Sequence, residues 1–275
     1  MRAGWKVQLF GGVLLAVGAL VTLFPYYWLA VMATNTSADI FASPPTLTFG
    51  PHLIDNLTEV FNRIDFFRSL VNTVIVAVAV TILVLIFDSL AAFAFAKYEF
   101  PGRNALFGVL LATFVVPTQL AAIPQFSIMA TIGWVGDLKA LIVPAAANAF
   151  GIFWMRQYCA SALPDELLDA ARIDGCGFFR SWWNVALPIL RPALAFLGIF
   201  TFVSAWNDYL WPLIVMVDSH NVTLQVALSQ LNGIYTEEYS LVMAGTLLAI
   251  VPLLIVFLFG ARHFIRNIAA GAVKG

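Results

Sequence analysis

Residues 163–188 read LPDELLDAARIDGCGFFRSWWNVALP and form a polar and aromatic island in a strongly apolar chain. Over the full 275 residues, 61% are hydrophobic and 11% are charged. Soluble domains carry about 25% charged residues, so this composition is typical of an integral membrane protein. The island is therefore predicted to be one of the few long segments outside the lipid.

Apolar stretches on both sides of the island are long enough to cross a bilayer, which takes about 20 residues per helix. The first is longer than the core of a signal peptide, so we expect an uncleaved helix. The fold class predicted is an all-α integral membrane protein, with residues 1–275 forming a single transmembrane domain. We expect six transmembrane helices, at residues 9–33, 69–96, 105–130, 139–160, 189–216 and 239–261.

The Lys and Arg residues predict the orientation of these helices. Cytoplasmic loops carry an excess of Lys and Arg, and a cytoplasmic N-terminus places eleven of the fourteen cations inside. We therefore expect both termini, the 161–188 loop and a 262–275 tail to be cytoplasmic in a multi-pass protein. The inside set is Arg2, Lys6, Lys97, Arg103, Arg156, Arg172, Arg180, Arg191, Arg262, Arg266 and Lys274, and the outside set is Arg63, Arg68 and Lys139.

Motifs that would indicate catalysis are missing from the sequence. It has no GxSxG elbow, no HExxH pair and no GxxxxGK[ST] phosphate-binding loop. Cys159 and Cys176 fall on the cytoplasmic side, where a structural disulfide is rare, and two thiols are too few for a zinc site. His52, His220 and His263 form no metal-ligand pair. We therefore expect no catalytic residue, no metal and no cofactor bound by this chain.

Within the island, local signals predict a short helix of two to three turns. Pro164 suits the first helical position, Asp165 and Glu166 suit the positive N-terminus, and Gly175 suits the C-terminal stop. We expect two opposed faces, one with Leu167, Leu168 and Ala171 and the other with Glu166, Asp169 and Arg172.

A second helical segment follows the glycine and is rich in aromatic residues. The spacing i, i+1, i+4, i+5 predicts one aromatic stripe, formed by Phe178, Phe179, Trp182 and Trp183. Such a stripe can lie among lipid headgroups or can serve as a docking surface for a cytoplasmic protein, and the pattern alone favours neither.

The end of the island resembles a known family. Residues 169–188, DAARIDGCGFFRSWWNVALP, are similar to the EAAxxDGAxxxxxFxxIxLP loop of permease subunits in binding-protein-dependent ABC importers. Asp169, Cys176 and Trp182 depart from the motif but keep charge sign, small size or aromaticity. The matching positions are Asp169, Ala170, Ala171, Asp174, Gly175, Cys176, Trp182, Val185, Leu187 and Pro188.

Further segments extend the resemblance to the six-helix permeases of the carbohydrate-uptake class. These segments are Asn72–Thr73, KYEFPGRN at 97–104, WNDYLWPL at 206–213 and GAVKG at 271–275. Two more runs, 149–158 and 224–231, are most similar to permeases for cello-oligosaccharides or related β-glucosides. Amino sugars, trehalose and glycerophosphodiesters stay open as substrates.

The resemblance implies a transport subunit without its own ATPase site. It implies a second homologous permease, a cytoplasmic ATP-binding dimer that uses ATP and Mg, an extracytoplasmic solute-binding protein and a bacterial inner-membrane location, with no nucleic acid. The tail would reach towards the ATPase, or would simply be a frayed end. The residues implied in coupling to the ATPase are Glu166, Asp169, Ala170, Ala171, Arg172, Asp174, Gly175, Phe178, Phe179, Trp182 and Pro188.

Polar residues within the predicted spans are candidates for a translocation path, because they are costly in lipid and usually face a bundle interior. For Asp88 we favour helix packing over a role in transport, and for Trp206 to Trp211 we favour an aromatic belt. Rival classes are a secondary transporter, an intramembrane protease and a membrane scaffold, but no inverted repeat or Ser/His constellation supports the first two. The path candidates are Asn72, Asp88, Gln119, Gln125, Asn148, Asn207 and Asp208.

Overall fold

The structure is a computed structural model that describes residues 5–218, 221–232 and 238–272. These residues form helices joined by turns, and they divide into two compact units. One unit is Met1–Phe66 with Ala227–Val251, and the other is Phe67–Val226 with Pro252–Gly275. The predicted features that rest on Arg2, His220 or residues 273–275 lie outside the described residues.

The first unit is held together by polar contacts near the end of its long N-terminal helix. Asn56 donates from Nδ2 to the carbonyls of Ala33 and Asn35, at 2.9 and 3.1 Å. The Thr36 hydroxyl and backbone N–H both donate to Asp39, and they hold the pKa of that carboxyl below its usual value. The helices are α1 (Trp5–Ala33), α2 (Ser37–Ile40) and α3 (Leu53–Arg63), joined by part of the C-terminal helix Tyr239–Ala272.

The second unit is built around α4 (Phe66–Lys97), which buries a row of small and branched apolar side chains. Its apolar side chains suit a lipid environment, and its helical backbone satisfies its own interior hydrogen-bonding groups there. The other helices are α5 (Arg103–Val115), α6 (Ala122–Thr131), α7 (Lys139–Ile142), α8 (Ala149–Ala162), α9 (Asp165–Ile173), α10 (Phe178–Ser181), α11 (Leu187–Trp206), α12 (Leu210–Val215) and α13 (Leu224–Ser229), with α14 (Tyr239–Ala272) completing the chain order.

The all-α fold class is confirmed, whereas the count of six spans stays a prediction. Within the described ranges, four helices are long and apolar enough to cross a membrane, or five if one bent pair forms a single span. The four are Leu9–Ala33, Phe66–Lys97, Phe178–Trp206 and Tyr239–Leu258.

Three of the predicted spans are not single continuous helices. The stretch 105–130 becomes α5 and α6; the chain bends by 95° between Val115 and Thr118, and a short 3₁₀ turn, Thr118–Ala121, leads into α6. The stretch 139–160 becomes α7 and α8, with irregular backbone over 143–148. The stretch 189–216 becomes α11 and α12, separated at 207–209. In a membrane such breaks persist where the backbone is buried in protein or lines a cavity.

Candidate functional site

The 163–188 segment begins with the predicted helix, shifted by one position. Pro164 is the N-cap and α9 starts at Asp165, so Asp165 and Glu166 lie in the first turn as expected. Leu168 and Ala171 are buried. Leu167 is exposed, so its predicted place on the buried face was wrong. It lies only 100° from Leu168 around the helix, which places it at the edge of the packed face.

The turn after α9 requires a glycine. Gly175 has φ of +77°, a region that side chains disfavour, while a Cβ there would meet no atom within 4 Å. The N–H of Gly175 donates to the Arg172 carbonyl at 3.0 Å and that of Cys176 to the Ala171 carbonyl at 2.8 Å. This is the Schellman arrangement of a helix C-terminus, as the sequence predicted in outline.

The four aromatic residues do not form one stripe, contrary to the prediction. Trp182 is buried and Phe178 half-buried, whereas Phe179 and Trp183 are exposed. The rings alternate because neighbouring residues on a helix point about 100° apart. A π-helical turn also spans Trp182–Ala186, where the N–H of Leu187 donates to the Trp182 carbonyl. Such turns add a residue per turn and are frequent at functional sites.

The inner side of the 163–188 segment is anchored to the end of α4. The rings of Phe93, Tyr98 and Phe178 lie within 5.1–5.4 Å of one another, centre to centre. The indole Nε1 of Trp182 donates to Ser89 Oγ at 3.2 Å. These contacts, made on two turns of one helix, fix the segment's orientation relative to α4.

The segment exposes four large apolar side chains among its exposed charged residues. Ile173 is 88% exposed, and Phe179 and Trp183 are 70% and 64% exposed. Leu167 is exposed as well. Large apolar side chains this exposed within one short segment are typical of a binding site or of contact with lipid. We call Leu167, Ile173, Phe179 and Trp183 the outer face.

A cavity of about 590 Å³ lies in the second unit, and its described lining residues lie outside the 163–188 segment. Asp208 is the only ionisable side chain among the described residues that line it. Most of the wall is apolar. The polar lining residues are Thr118, Gln119, Gln125, Asn148, Thr201, Ser204, Asp208, Trp211 and Thr223. Thr223 has a buried hydroxyl without a hydrogen-bond partner in the described chain.

The cavity brings together four of the path candidates, Gln119, Gln125, Asn148 and Asp208. They come from the breaks in three predicted spans and from α6. Thr201, Ser204 and Thr223 also line it, and sequence reasoning missed them because small hydroxyl residues in an apolar run are usually bonded to their own helix. The role of the four path candidates in transport stays a prediction.

The remaining path candidates, Asn72, Asp88 and Asn207, do not line this cavity. Asn207 donates back to the Val203 carbonyl of its own helix at 2.8 Å. Asp88 is fully buried and accepts from the backbone N–H of Asn148 at 3.1 Å. Their positions in apolar sequence could not distinguish packing roles from lining roles.

Asn72 holds loops together rather than facing the cavity. Its Nδ2 donates to Asn221 Oδ1 at 3.2 Å and to the Val222 carbonyl at 3.1 Å. Asn221 in turn donates to the Gly136 carbonyl at 3.0 Å. Beside it, Thr73 accepts from the Leu224 N–H at 2.8 Å. Residues 72 and 73 therefore satisfy backbone groups that would otherwise be orphaned in a low-dielectric environment.

Sequence and structure comparisons place this architecture among known transport proteins. Residues 89–269 match the family model described as "Binding-protein-dependent transport system inner membrane component". The chain is 34% identical over 260 residues to an arabinooligosaccharides transport system permease protein of Halalkalibacterium halodurans, covering 94% of this chain and 93% of the relative. It is 35% identical over 260 residues to a lactose transport system permease protein of Rhizobium radiobacter, covering 94% of each.

Two further similar proteins are described as transporting other kinds of solute. An sn-glycerol-3-phosphate transport system permease protein of Yersinia pestis is 32% identical over 271 residues, covering 95% of this chain and 96% of the relative. A bacterial ABC transporter that imports the acidic polysaccharide alginate has a chain of the same fold, with a TM-score of 0.77 and 26% identity, covering 96% of this chain and 98% of that one. The resemblance stated from residues 169–188 is confirmed. The chain therefore belongs to the family of inner membrane components of binding-protein-dependent transport systems.

Proposed function

We propose that this chain is one permease subunit of an ATP-driven sugar importer. It pairs with a second, related permease to form the translocation path, receives the sugar from an extracytoplasmic binding protein, and is driven by a cytoplasmic ATPase dimer. The observation that carries the proposal is the 163–188 segment, whose inner side is anchored to α4 while its outer face is apolar and exposed.

A segment that couples an ATPase to a permease needs a surface that binds the ATPase and a rigid attachment to the transmembrane helices. The outer face supplies the surface, since an amphipathic helix with apolar anchors suits a groove on a partner. The cluster of Phe93, Tyr98 and Phe178 and the Trp182–Ser89 hydrogen bond attach the segment to the end of α4. We expect them to make the segment move together with α4. Closure of the ATPase dimer on ATP would then move α4 as a rigid body, a known type of switching transition.

ATP and Mg belong to the partner ATPase in this proposal. The chain itself carries no phosphate-binding loop in its sequence and contributes binding, positioning and the wall of the path. Both termini and the 163–188 segment face the cytoplasm, which the distribution of Lys and Arg supports.

The substrate we propose is a neutral di- or oligosaccharide of the cello-oligosaccharide or β-glucoside kind. The cavity combines apolar walls with hydroxyl and amide groups, which suit the faces and hydroxyls of a sugar. Relatives named for arabinooligosaccharide and lactose transport support the class. Amino sugars and trehalose fit the same lining.

A glycerophosphodiester is the second candidate, because one relative is named for sn-glycerol-3-phosphate transport. The lining of the cavity disfavours a glycerophosphodiester as the substrate. Among the described lining residues there is a carboxylate and no Lys, Arg or His. A phosphate or uronate would meet a like charge and no cationic partner, which is unfavourable in a site of low dielectric.

The test is binding and uptake by the complete importer. A binding protein and a second permease are first sought among the neighbouring genes and purified, and binding of cellobiose, trehalose, glucosamine and glycerophosphocholine to the binding protein is measured by calorimetry. The complete complex in proteoliposomes is then assayed for uptake of the sugar that binds. ATP-dependent uptake of a neutral sugar is expected. No ATP-dependent uptake of any solute would contradict the importer, and selective uptake of glycerophosphocholine would contradict the sugar.

A further inference from the structure

Two successive residues of α4 contact two separate functional regions. Asp88 accepts from the backbone N–H of Asn148, the N-cap residue of α8, at 3.1 Å. Ser89 accepts from the indole of Trp182 in the 163–188 segment at 3.2 Å. Asp88 and Ser89 are both fully buried. One turn of α4 therefore lies between the cavity wall and the segment proposed to couple to the ATPase.

The Asp88 end of this contact is tightly built. Asn148 lines the cavity and uses its Oδ1 to accept from the Gly151 N–H at 2.7 Å, which caps α8. A Cβ on Gly151 would overlap the Asp88 carboxylate, so only glycine allows this approach. A carboxylate at the N-terminus of a 14-residue helix is also stabilised by the helix dipole.

Helix capping alone does not require Asp88. Asn148 already caps α8 with its own side chain, and a buried carboxylate in a span is costly. Its other oxygen, Oδ2, has no hydrogen-bond partner among the described residues. What Asp88 adds is a bond from α4 to the backbone of a residue that lines the cavity, at the irregular stretch between α7 and α8.

We propose that Asp88 and Ser89 form the link through which movement of the 163–188 segment reaches the cavity wall. Ser89 is the positioning residue at the Trp182 end, and Asp88 is the positioning residue at the Asn148 end. The inference rests on the proposed function, because it assumes that the segment is moved by an ATPase. It adds which residues of α4 transmit that movement and which wall residue receives it.

The test is the ratio of sugar taken up to ATP hydrolysed by the complete importer in proteoliposomes. Asp88→Ala removes the acceptor and is expected to lower this ratio roughly threefold to tenfold, the factor that one such hydrogen bond is worth. Asp88→Asn keeps an acceptor oxygen and is expected to stay within about twofold of the wild type. Thr81→Val is the matched control, since among the described residues the Thr81 hydroxyl on the same helix bonds only to the Ala77 carbonyl of its own helix.

The Ser89 end is tested by a double-mutant cycle, which also decides the matter if Asp88→Ala fails to accumulate. Ser89→Ala and Trp182→Phe are each expected to lower the ratio, and the double variant is expected to be no worse than either alone. Additive losses, or no loss, would overturn the link. So would an Asp88→Asn variant as poor as Asp88→Ala. A wild-type complex without uptake would contradict the proposed function itself, whereas normal wild-type uptake with an unchanged ratio in the variants contradicts only the link.

Discussion

Lys97 Nζ lies 2.8 Å from Asp165 Oδ1 and so joins the last residue of α4 to the first residue of α9. The two partners differ in exposure, because the Lys97 side chain is 7% exposed and that of Asp165 is 79% exposed. This ion pair fastens the start of the 163–188 segment, as the aromatic cluster fastens its middle.

The difference in exposure between Lys97 and Asp165 predicts which of two variants of this pair is the more stable. Asp165→Ala leaves a buried ammonium without its partner, so we expect it to lower the free energy of unfolding by about 1–2 kcal/mol. The double variant Lys97→Met, Asp165→Ala removes both charges and should be the more stable of the two. Thermal unfolding of the purified protein in detergent measures this order. A double variant less stable than Asp165→Ala would contradict the role of the buried charge.

Gly175 and Gly177 form a matched pair for testing the turn. Gly175 has φ of +77° and Gly177 has φ of −75°, and neither Cβ would meet an atom within 4 Å. Gly175→Ala is therefore expected to cost about 1 kcal/mol through backbone strain alone, and Gly177→Ala close to none. Gly175→Asn should fall between them, since Asn tolerates this region. Equal melting temperatures for the two alanine variants would show that the turn does not depend on this conformation.

The outer face predicts where the ATPase binds. Phe179→Ser and Ile173→Ser change side chains that are already exposed, so we expect normal folding and membrane insertion. Loss of the ATPase subunits on affinity purification of the permease is the expected effect, by tenfold or more for the pair of changes, about 1.4 kcal/mol. Asn184→Ser, an exposed polar position beside Trp183, is the control. Full retention of the ATPase by the double variant would assign the outer face to lipid.

Asp208 and Asn207 test the cavity as part of the path. They are neighbours in sequence, but Asp208 lines the cavity and Asn207 bonds to its own helix. With protein level controlled, Asp208→Ala and Asn148→Ala are expected to change the uptake rate or the apparent affinity by about fivefold or more, and Asn207→Ala to change neither. If Asn207→Ala matches the other two, or if none of the three alters uptake, the cavity is not the path.

Asn72 is expected to act on stability and not on substrate affinity. Asn72→Leu removes two hydrogen bonds to the loop at Asn221 and Val222, which should lower the free energy of unfolding by about 1–3 kcal/mol. The apparent affinity for sugar of the protein that folds should be unchanged. A normal melting temperature with a weakened affinity would return Asn72 to the translocation path.

Local signals in the sequence were enough to predict α9 and its end. Pro164, Asp165, Glu166 and Gly175 affect only the backbone within a few residues. The helix Asp165–Ile173 and the turn at Gly175 can therefore be predicted without knowing the tertiary structure. The aromatic stripe could not be predicted in the same way. Which rings are buried depends on where α4 lies, and Phe93 and Ser89 of α4 contact Phe178 and Trp182.

The cavity shows a similar limit. Hydropathy predicted where apolar residues run, but it averages over about 19 residues and passes smoothly across breaks at Pro117, Asn148 and Asn207. Gln119, Asn148 and Asp208, which lie at or next to those breaks, line one cavity. Asn72 and Asp88 are likewise polar residues in apolar sequence. In the fold, however, Asn72 bonds to the loop at Val222 and Asp88 bonds to the start of α8.

The central claim is that the 163–188 segment transmits ATPase movement to the transport path. The most direct measurement is the uptake of sugar and the hydrolysis of ATP by the complete importer in proteoliposomes, comparing wild type with Gly175→Asp. We predict that the variant inserts in the membrane, loses uptake, and hydrolyses ATP independently of the loaded binding protein. Wild-type uptake with normal stimulation by the binding protein in Gly175→Asp would contradict the claim.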